Sequence, residues 1–342
     1  GEILTLVSSP GIDVDMLANI GQHYEEISKD PHKPMFNRAV QSSYPPGSVF
    51  KLVNGLVGLQ EGTLTPSMAY PCNQGYHFGN HKLGCHAHRS PLTLEEAVMM
   101  SCNGYFCYVL KNILENKKYG SIAEALDKWN EYVQSFGFGH KLGSDFPAEL
   151  GGTLPTSKLY NKRYGKGGWK FTTIISISIG QGEVGVTPLQ IANLAATIAN
   201  RGWFITPHVV KKIQGEALDT LYTKPRKTMA APWAYEEVVK GMRSAAQGGT
   251  CKGLGHYDFM PCGKTGTAQN KGHDHSVFMG FAPMDDPKIA VAVYVENGGW
   301  GATYGVPLGG LIMEQYIKGQ LTEASVQKAR EFQERHISYG SS

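Results

Sequence analysis

The chain predicts a mixed α/β fold of the α+β kind, an antiparallel sheet flanked by helices, and three observations predict it. Residues 264–268, 277–282 and 289–296 are short runs rich in β-branched and aromatic residues, separated by turn formers, and read as three successive antiparallel strands. Residues 305–317 follow as a helix that would cover that sheet. Ahead of the strands the signals are mostly helical: an apolar run at 49–59 and capping sequences before residues 94 and 188.

The elements follow in order. Gly1 to Pro10 reads as a strand ending in a turn, and the stretch to about residue 40 as irregular. Pro45-Pro46-Gly47 cannot be helical, so the next helix starts near Ser48 and runs buried through Leu59. Residues 64–92 read as loop, rich in Gly, His and Asn. Residues 92–100 form a helix with Thr93 as N-cap and Glu96 completing a capping box. Residues 105–116 and 121–135 are helical, and 140–170 is loop around Gly151-Gly152 and Gly167-Gly168. Thr187, Pro188 and Gln190 occupy the N-cap, N1 and N3 positions of a helix that stops near Gly202. The tail from Gly319 is charged and at most helical.

With 342 residues, 41% of them hydrophobic, the chain can bury one large core or two modest ones. A net charge of +3 with no clustered basic face argues against a nucleic-acid partner. No run of 18 apolar residues offers a membrane span, and no signal peptide is visible. The first residue is Gly, which leads us to expect a piece of a longer protein whose anchor or targeting segment lies elsewhere. The six cysteines suit an oxidising compartment without requiring one.

Three short motifs carry the chemistry: Ser48-Val49-Phe50-Lys51, then Ser101-Cys102-Asn103, then Lys264-Thr265-Gly266-Thr267. A serine hydroxyl attacks only when a neighbouring base takes its proton. Lys51 lies one turn beyond Ser48 on the same helical face and becomes that base if burial and a second cation, Lys264, lower its pKa. Ser101 is placed to relay a proton, and Asn103 to hold Lys51 and the acyl chain. The strand of Thr265, Gly266 and Thr267 can pair with an extended peptide. The N–H groups of Ser48 and Thr267 would form an oxyanion hole, Gly266 leaves room, and Lys264, Thr265 and Thr267 can bind a terminal carboxylate. Taken singly, Ser48 is a helix N-cap, Lys51 a surface charge and Lys264-Thr265-Gly266 a strand end. The ordered set favours the catalytic reading.

The chain resembles the transpeptidase domain of class B penicillin-binding proteins, elongation (rod-shape) type. The resemblance rests on Gly1-Glu2-Ile3-Leu4, Asn37-Arg38-Ala39, Tyr44-Pro45-Pro46-Gly47-Ser48, Gly180-Gln181-Gly182, Thr187-Pro188-Leu189-Gln190, Gly263 to Gln269, His275, Phe281-Ala282-Pro283 and Val295 to Gly299. It implies the penicillin-binding transpeptidase/β-lactamase-like fold, with a helical subdomain beside the sheet and the active site between them. It assigns residues 1–320 to that domain and 321–342 to a charged tail, without the usual transmembrane helix and pedestal domain. It implies a D,D-transpeptidase that cross-links peptidoglycan stem peptides ending in D-Ala-D-Ala through a Ser48 acyl-enzyme and is acylated by β-lactams. It requires no cofactor. It implies the periplasmic part of an inner-membrane-anchored bacterial protein, partnered by a glycan polymerase of the elongation complex. Some members carry Asp where this chain has Asn103; either side chain can hydrogen-bond. The alternatives are a β-lactam-hydrolysing or D,D-carboxypeptidase enzyme, and a non-catalytic β-lactam sensor or scaffold.

Cys72, His77, His81, Cys85, His86 and His88 crowd the segment ahead of Ser101. Cys72, Cys85, one of His86 or His88 and a further ligand could build a tetrahedral structural zinc site, and the resemblance adds that some elongation-type members carry a metal in this region. A Cys72–Cys85 disulfide with solvated histidines is the other reading. His273 and His275 read as packing or rim residues. Cys251 and Cys262 read either as a pair across a loop or as buried free thiols.

Overall fold

The computed structural model describes residues 1–337; the last five residues of the expected tail lie outside them. The chain enters as extended backbone rather than as a strand, since within residues 1–10 only Glu2 pairs, in a parallel bridge to His208. The stretch expected to be irregular carries α1 (Val14–Ala18), α2 (Ile20–Lys29) and α3 (Arg38–Gln41). Local caps start two of them: Asp13 accepts from the Asp15 N–H, and Asn37 from the Ala39 N–H.

A 3₁₀ turn at Gly47–Phe50 leads into α4 (Lys51–Gln60), buried from Lys51 to Leu59. The segment expected to be loop then folds into a hairpin, β1 (Gly75–Phe78) and β2 (His81–Gly84), with Gly75 opposite Gly84. Its strands are four residues each and their polar side chains hide the alternation that marks a longer strand. α5 (Leu94–Met99) begins with the expected capping box, the Thr93 N–H donating to Glu96 Oε2 at 2.9 Å. It is followed by α6 (Asn103–Leu114) and α7 (Ile122–Ser135). Inside the predicted 140–170 loop lies α8 (Ser157–Tyr164), started by Thr156 accepting from the Leu159 N–H. α9 (Pro188–Ala199) has the predicted Thr187–Gln190 box.

A small ribbon, β3 (Trp203–Phe204) with β4 (Arg226–Lys227), precedes α10 (Pro232–Gly248). The main sheet is β5 (Cys262–Ala268), β6 (His275–Ala282) and β7 (Ile289–Val295), antiparallel in that order, as predicted. α11 (Gly305–Lys318) and α12 (Glu323–Gln333) close the described chain. Alternation along β6 sorts its side chains: Val277, Met279 and Phe281 join the core that includes α4, α6, α7 and α9, whereas Phe278 and Ala282 join the core under α11. β5 is left at the sheet edge, against the turn that carries Ser48.

α4 is held by a polar clasp inside this core. The Trp129 indole Nε1–H donates to Asn54 Oδ1 at 2.9 Å, and Asn54 Nδ2 donates to the carbonyls of Ile177 and Ser178 at 3.2 Å. Both side chains are fully buried. Trp129→Ala would leave a large cavity and an unpaired amide oxygen, so we expect a loss of about 3–5 kcal/mol in urea unfolding. A loss under about 1 kcal/mol would show that the clasp is not what fixes α4.

Candidate active site

The turn that presents Ser48 is built by backbone constraints. Gly47 has φ +59°, and its N–H donates to the Gly180 carbonyl at 3.0 Å. A Cβ at position 47 would stand 2.7 Å from the Thr267 carbonyl oxygen, so a side chain there collides with β5. Gly266 is equally constrained: its Cβ would meet Pro46 O at 3.0 Å and Val277 Cβ at 2.9 Å. These two glycines let β5 approach the serine turn. Among the described residues the Ser48 hydroxyl has no hydrogen-bond partner. Nucleophile–base contacts of this kind often tighten only when substrate binds.

Lys51, one turn on, is fully buried. Its Nζ donates to the Ser101 carbonyl (2.6 Å), to Ser101 Oγ (3.2 Å) and to Asn103 Oδ1 (2.6 Å). Ser101 sits between α5 and α6 with φ +56°, a left-handed conformation that a non-glycine residue adopts at a cost. That conformation turns its carbonyl and its hydroxyl toward the lysines. Lys264, also fully buried, donates to the same Ser101 Oγ at 2.7 Å and to the Thr265 carbonyl at 3.0 Å. One hydroxyl thus accepts from two lysine nitrogens and keeps its own proton free to donate.

Burial pushes Lys51 down to about 8. Burial, reinforced by the Lys51 charge, pushes Lys264 well below the ordinary lysine range. The expectation that Lys264 depresses Lys51 is corrected: burial lowers Lys51 against the opposing pull of the neighbouring cysteines, and it is Lys51 that acts on Lys264.

Asn103 is fixed from three sides. Its Oδ1 accepts from Lys51, its Nδ2 donates to the Gly84 carbonyl at 2.7 Å, and its N–H donates to Cys85 Sγ at 3.2 Å. The hairpin end therefore positions the second motif, a contact with no signal in the sequence because eighteen residues separate Cys85 from Asn103.

The six cysteines are free, so the Cys72–Cys85 disulfide and the Cys251–Cys262 pair are absent, and the latter two thiols are buried. Instead Cys72, Cys85, His88 and Cys102 bring their ligand atoms within 4.8 Å of one another. This cluster takes His88 rather than His86, whose Nδ1 lies 3.9 Å from Cys85 Sγ, and it adds Cys102 as the further ligand. His88 Nδ1–H donates to the Arg89 carbonyl at 2.6 Å, which leaves Nε2, 3.4 Å from Cys85 Sγ, as the free nitrogen. A tetrahedral site with Zn–S of about 2.3 Å needs ligand atoms under about 4 Å apart, so this donor set fits zinc after a small contraction. His275 is a packing residue: its ring lies against Tyr44 and Tyr294, and its Nδ1 accepts from the Asn297 N–H at 3.0 Å.

The model of one family, described as the penicillin binding protein transpeptidase domain, matches residues 1–317. The chain belongs to the penicillin-binding protein transpeptidase family. Among curated relatives, the peptidoglycan D,D-transpeptidase MrdA of Acinetobacter baumannii is 33% identical over 331 residues, covering 89% of this chain and 47% of the relative. Among solved structures, Pseudomonas aeruginosa PBP2 in complex with WCK 5153 aligns with TM-score 0.77 at 30% identity, over 89% of this chain and 66% of that one. A second, titled as the structural coordination of polymerization and crosslinking by a peptidoglycan synthase complex, aligns with TM-score 0.81 at 30% identity, over 94% and 55%. The chain spans about half the length of the first curated relatives it matches. The mixed fold of helices and antiparallel strands is thus that of penicillin-binding transpeptidases. Among the described residues, no helix is long and apolar enough to cross a membrane.

Proposed function

We propose that this penicillin-binding domain is a peptidoglycan D,D-transpeptidase working through a Ser48 acyl-enzyme. The observation that supports it most is the Ser101 hydroxyl bridging two buried lysines beside the serine turn. Ser48 Oγ attacks the carbonyl between two terminal D-alanines and its proton passes to neutral Lys51. The N–H groups of Ser48 and Thr267 hold the oxyanion, and Gly266 admits the peptide against β5. The C–N bond breaks as a proton reaches the departing D-alanine through Ser101, with Asn103 steadying Lys51 and the acyl chain. Lys264, Thr265 and Thr267 bind the terminal carboxylate. An amine of a neighbouring stem then attacks the ester, gives up its proton, and frees Ser48.

Residues 1–320 would form this unit and the remainder a charged tail. The natural setting we infer is the periplasmic face of a bacterial inner membrane, beside a glycan-polymerising partner, with β-lactams as inhibitors. The reaction itself needs no cofactor. Cys72, Cys85, His88 and Cys102 would hold a structural zinc that braces the hairpin against the second motif.

Incubating the protein with a donor stem pentapeptide and an acceptor stem should release D-alanine and give a cross-linked product. With a penicillin it should carry one persistent adduct by intact mass. Rapid consumption of penicillin without an adduct would favour the hydrolase instead. The pH dependence has a defined sign, because the base must be neutral to accept a proton. With Lys51 at about 8, acylation should rise roughly tenfold from pH 7 to pH 9 and then level off. A flat profile would remove Lys51 as the base.

A further inference from the structure

Three thiols converge on the contacts that hold Asn103, and the transpeptidase reading makes no use of their redox chemistry. The sulfurs of Cys72, Cys85 and Cys102 lie within 4.8 Å of one another, and none is bonded. Cys102 is fully buried and Cys72 nearly so, whereas Cys85 is half-buried and open to reagents. Cys102 stands between Ser101 and Asn103, and its sulfur accepts from the Tyr105 N–H at 3.3 Å at the start of α6. Cys85 Sγ accepts from the Asn103 N–H, and the carbonyl of its neighbour Gly84 accepts from Asn103 Nδ2. A disulfide needs its sulfurs about 2.05 Å apart, so only a short closure separates these thiols from a bond.

We propose that Cys85 is a modification site that forms a disulfide with Cys102, and that this bond slows acylation of Ser48 by displacing Asn103 from Lys51. The proposal rests on the acyl-enzyme reading above. The oxidant is a small-molecule disulfide. The Cys85 thiolate attacks one of its sulfurs and expels a thiol. Cys102 then attacks the mixed disulfide at Cys85 and expels the second thiol. Two cysteine thiols together lose two electrons and two protons, and the external disulfide becomes two thiols.

Closing the bond draws Cys85 Sγ off the Asn103 N–H and shifts the Gly84 carbonyl with it. It also shifts the Cys102 sulfur that caps α6. Asn103 loses two anchors at once, and its Oδ1 is what positions the Lys51 amine at 2.6 Å. The bonded sulfurs can no longer act as thiolate ligands, so metal loading and oxidation exclude each other at this cluster. Cys107, Cys251 and Cys262 are buried outside it and stay reduced.

The test uses the whole chain, stripped of metal with a chelator, treated with oxidised glutathione or with dithiothreitol, then alkylated and mapped by peptide mass. In parallel, the rate of Ser48 acylation by a fluorescent penicillin is measured. We expect a Cys85–Cys102 linked peptide in the oxidised sample, an acylation rate at least tenfold lower, and recovery on reduction. Cys85→Ser should give the same rate in both conditions, whatever that rate is, and Cys262→Ser should keep the full difference. A Cys72–Cys85 linkage instead, the absence of any linkage, or an unchanged rate in the linked protein would each overturn the proposal. If the reduced protein is not acylated at all, the acyl-enzyme reading fails instead, an outcome the peptide map separates from failure of the disulfide.

Discussion

Ser48→Ala should abolish covalent labelling by a penicillin while leaving the protein as stable as the parent. The stability half follows from the Ser48 side chain itself, which has no hydrogen-bond partner among the described residues and is only half-buried. Removing its oxygen strands no buried group, and the change should stay within about 0.5 kcal/mol. The activity half follows from the surroundings. Ser101 is the other hydroxyl at the lysines, but it already accepts from both of them and lies on a strained, enclosed residue. It cannot substitute as nucleophile. Loss of a serine nucleophile costs on the order of 10⁶ in turnover in a well-studied protease, which would put labelling here below detection. Intact-protein mass after hours with excess penicillin decides it. An adduct on the folded alanine variant would transfer the nucleophile to another residue and dismantle the mechanism proposed for this site.

What could be read in advance differs by element for physical reasons. α5 and α9 were legible because a Thr cap with Glu96 or Gln190 three positions on is a local signal that the structure uses as expected. The sheet was legible because β6 carries an apolar run from Val277 to Ala282 and is buried along its whole length. The β1–β2 hairpin was not, because Tyr76, His77 and Lys82 mix polarity on strands four residues long. α8 has no such signal, because Tyr160 is its one buried residue and no apolar stripe marks it. At the site, the three motifs named the residues that converge. The chain could not announce that Ser101 adopts φ +56°, nor that Cys102, inside the second motif, turns its sulfur toward Cys72 and Cys85. The first rests on contacts of Ser101 with two distant lysines, and the second on how the hairpin docks against α6.

Lys51→Met should separate catalysis from folding at the same position. Met keeps much of the volume of the buried stem and removes a charge whose desolvation costs several kcal/mol. Against that gain, the Ser101 carbonyl and Asn103 Oδ1 each lose a donor at 2.6 Å, a penalty of about 1–3 kcal/mol apiece. The two effects are of similar size, so the unfolding midpoint should move little. Catalysis has no such compensation. A thioether cannot take the Ser48 proton, and general-base removal typically costs 10²–10⁴-fold. The remaining rate should also lose its rise between pH 7 and pH 9, because the group titrating near 8 is gone. Lys264 would then stand alone beside Ser101, freed of the like charge that helps hold its pKa down. With that repulsion gone, its pKa should move back up and leave it more fully protonated, better suited to bind a carboxylate than to accept a proton. A Lys51→Met protein that is acylated at a rate near the parent's, with the same pH profile, would show that Lys264 is the base and that Lys51 only supports Asn103.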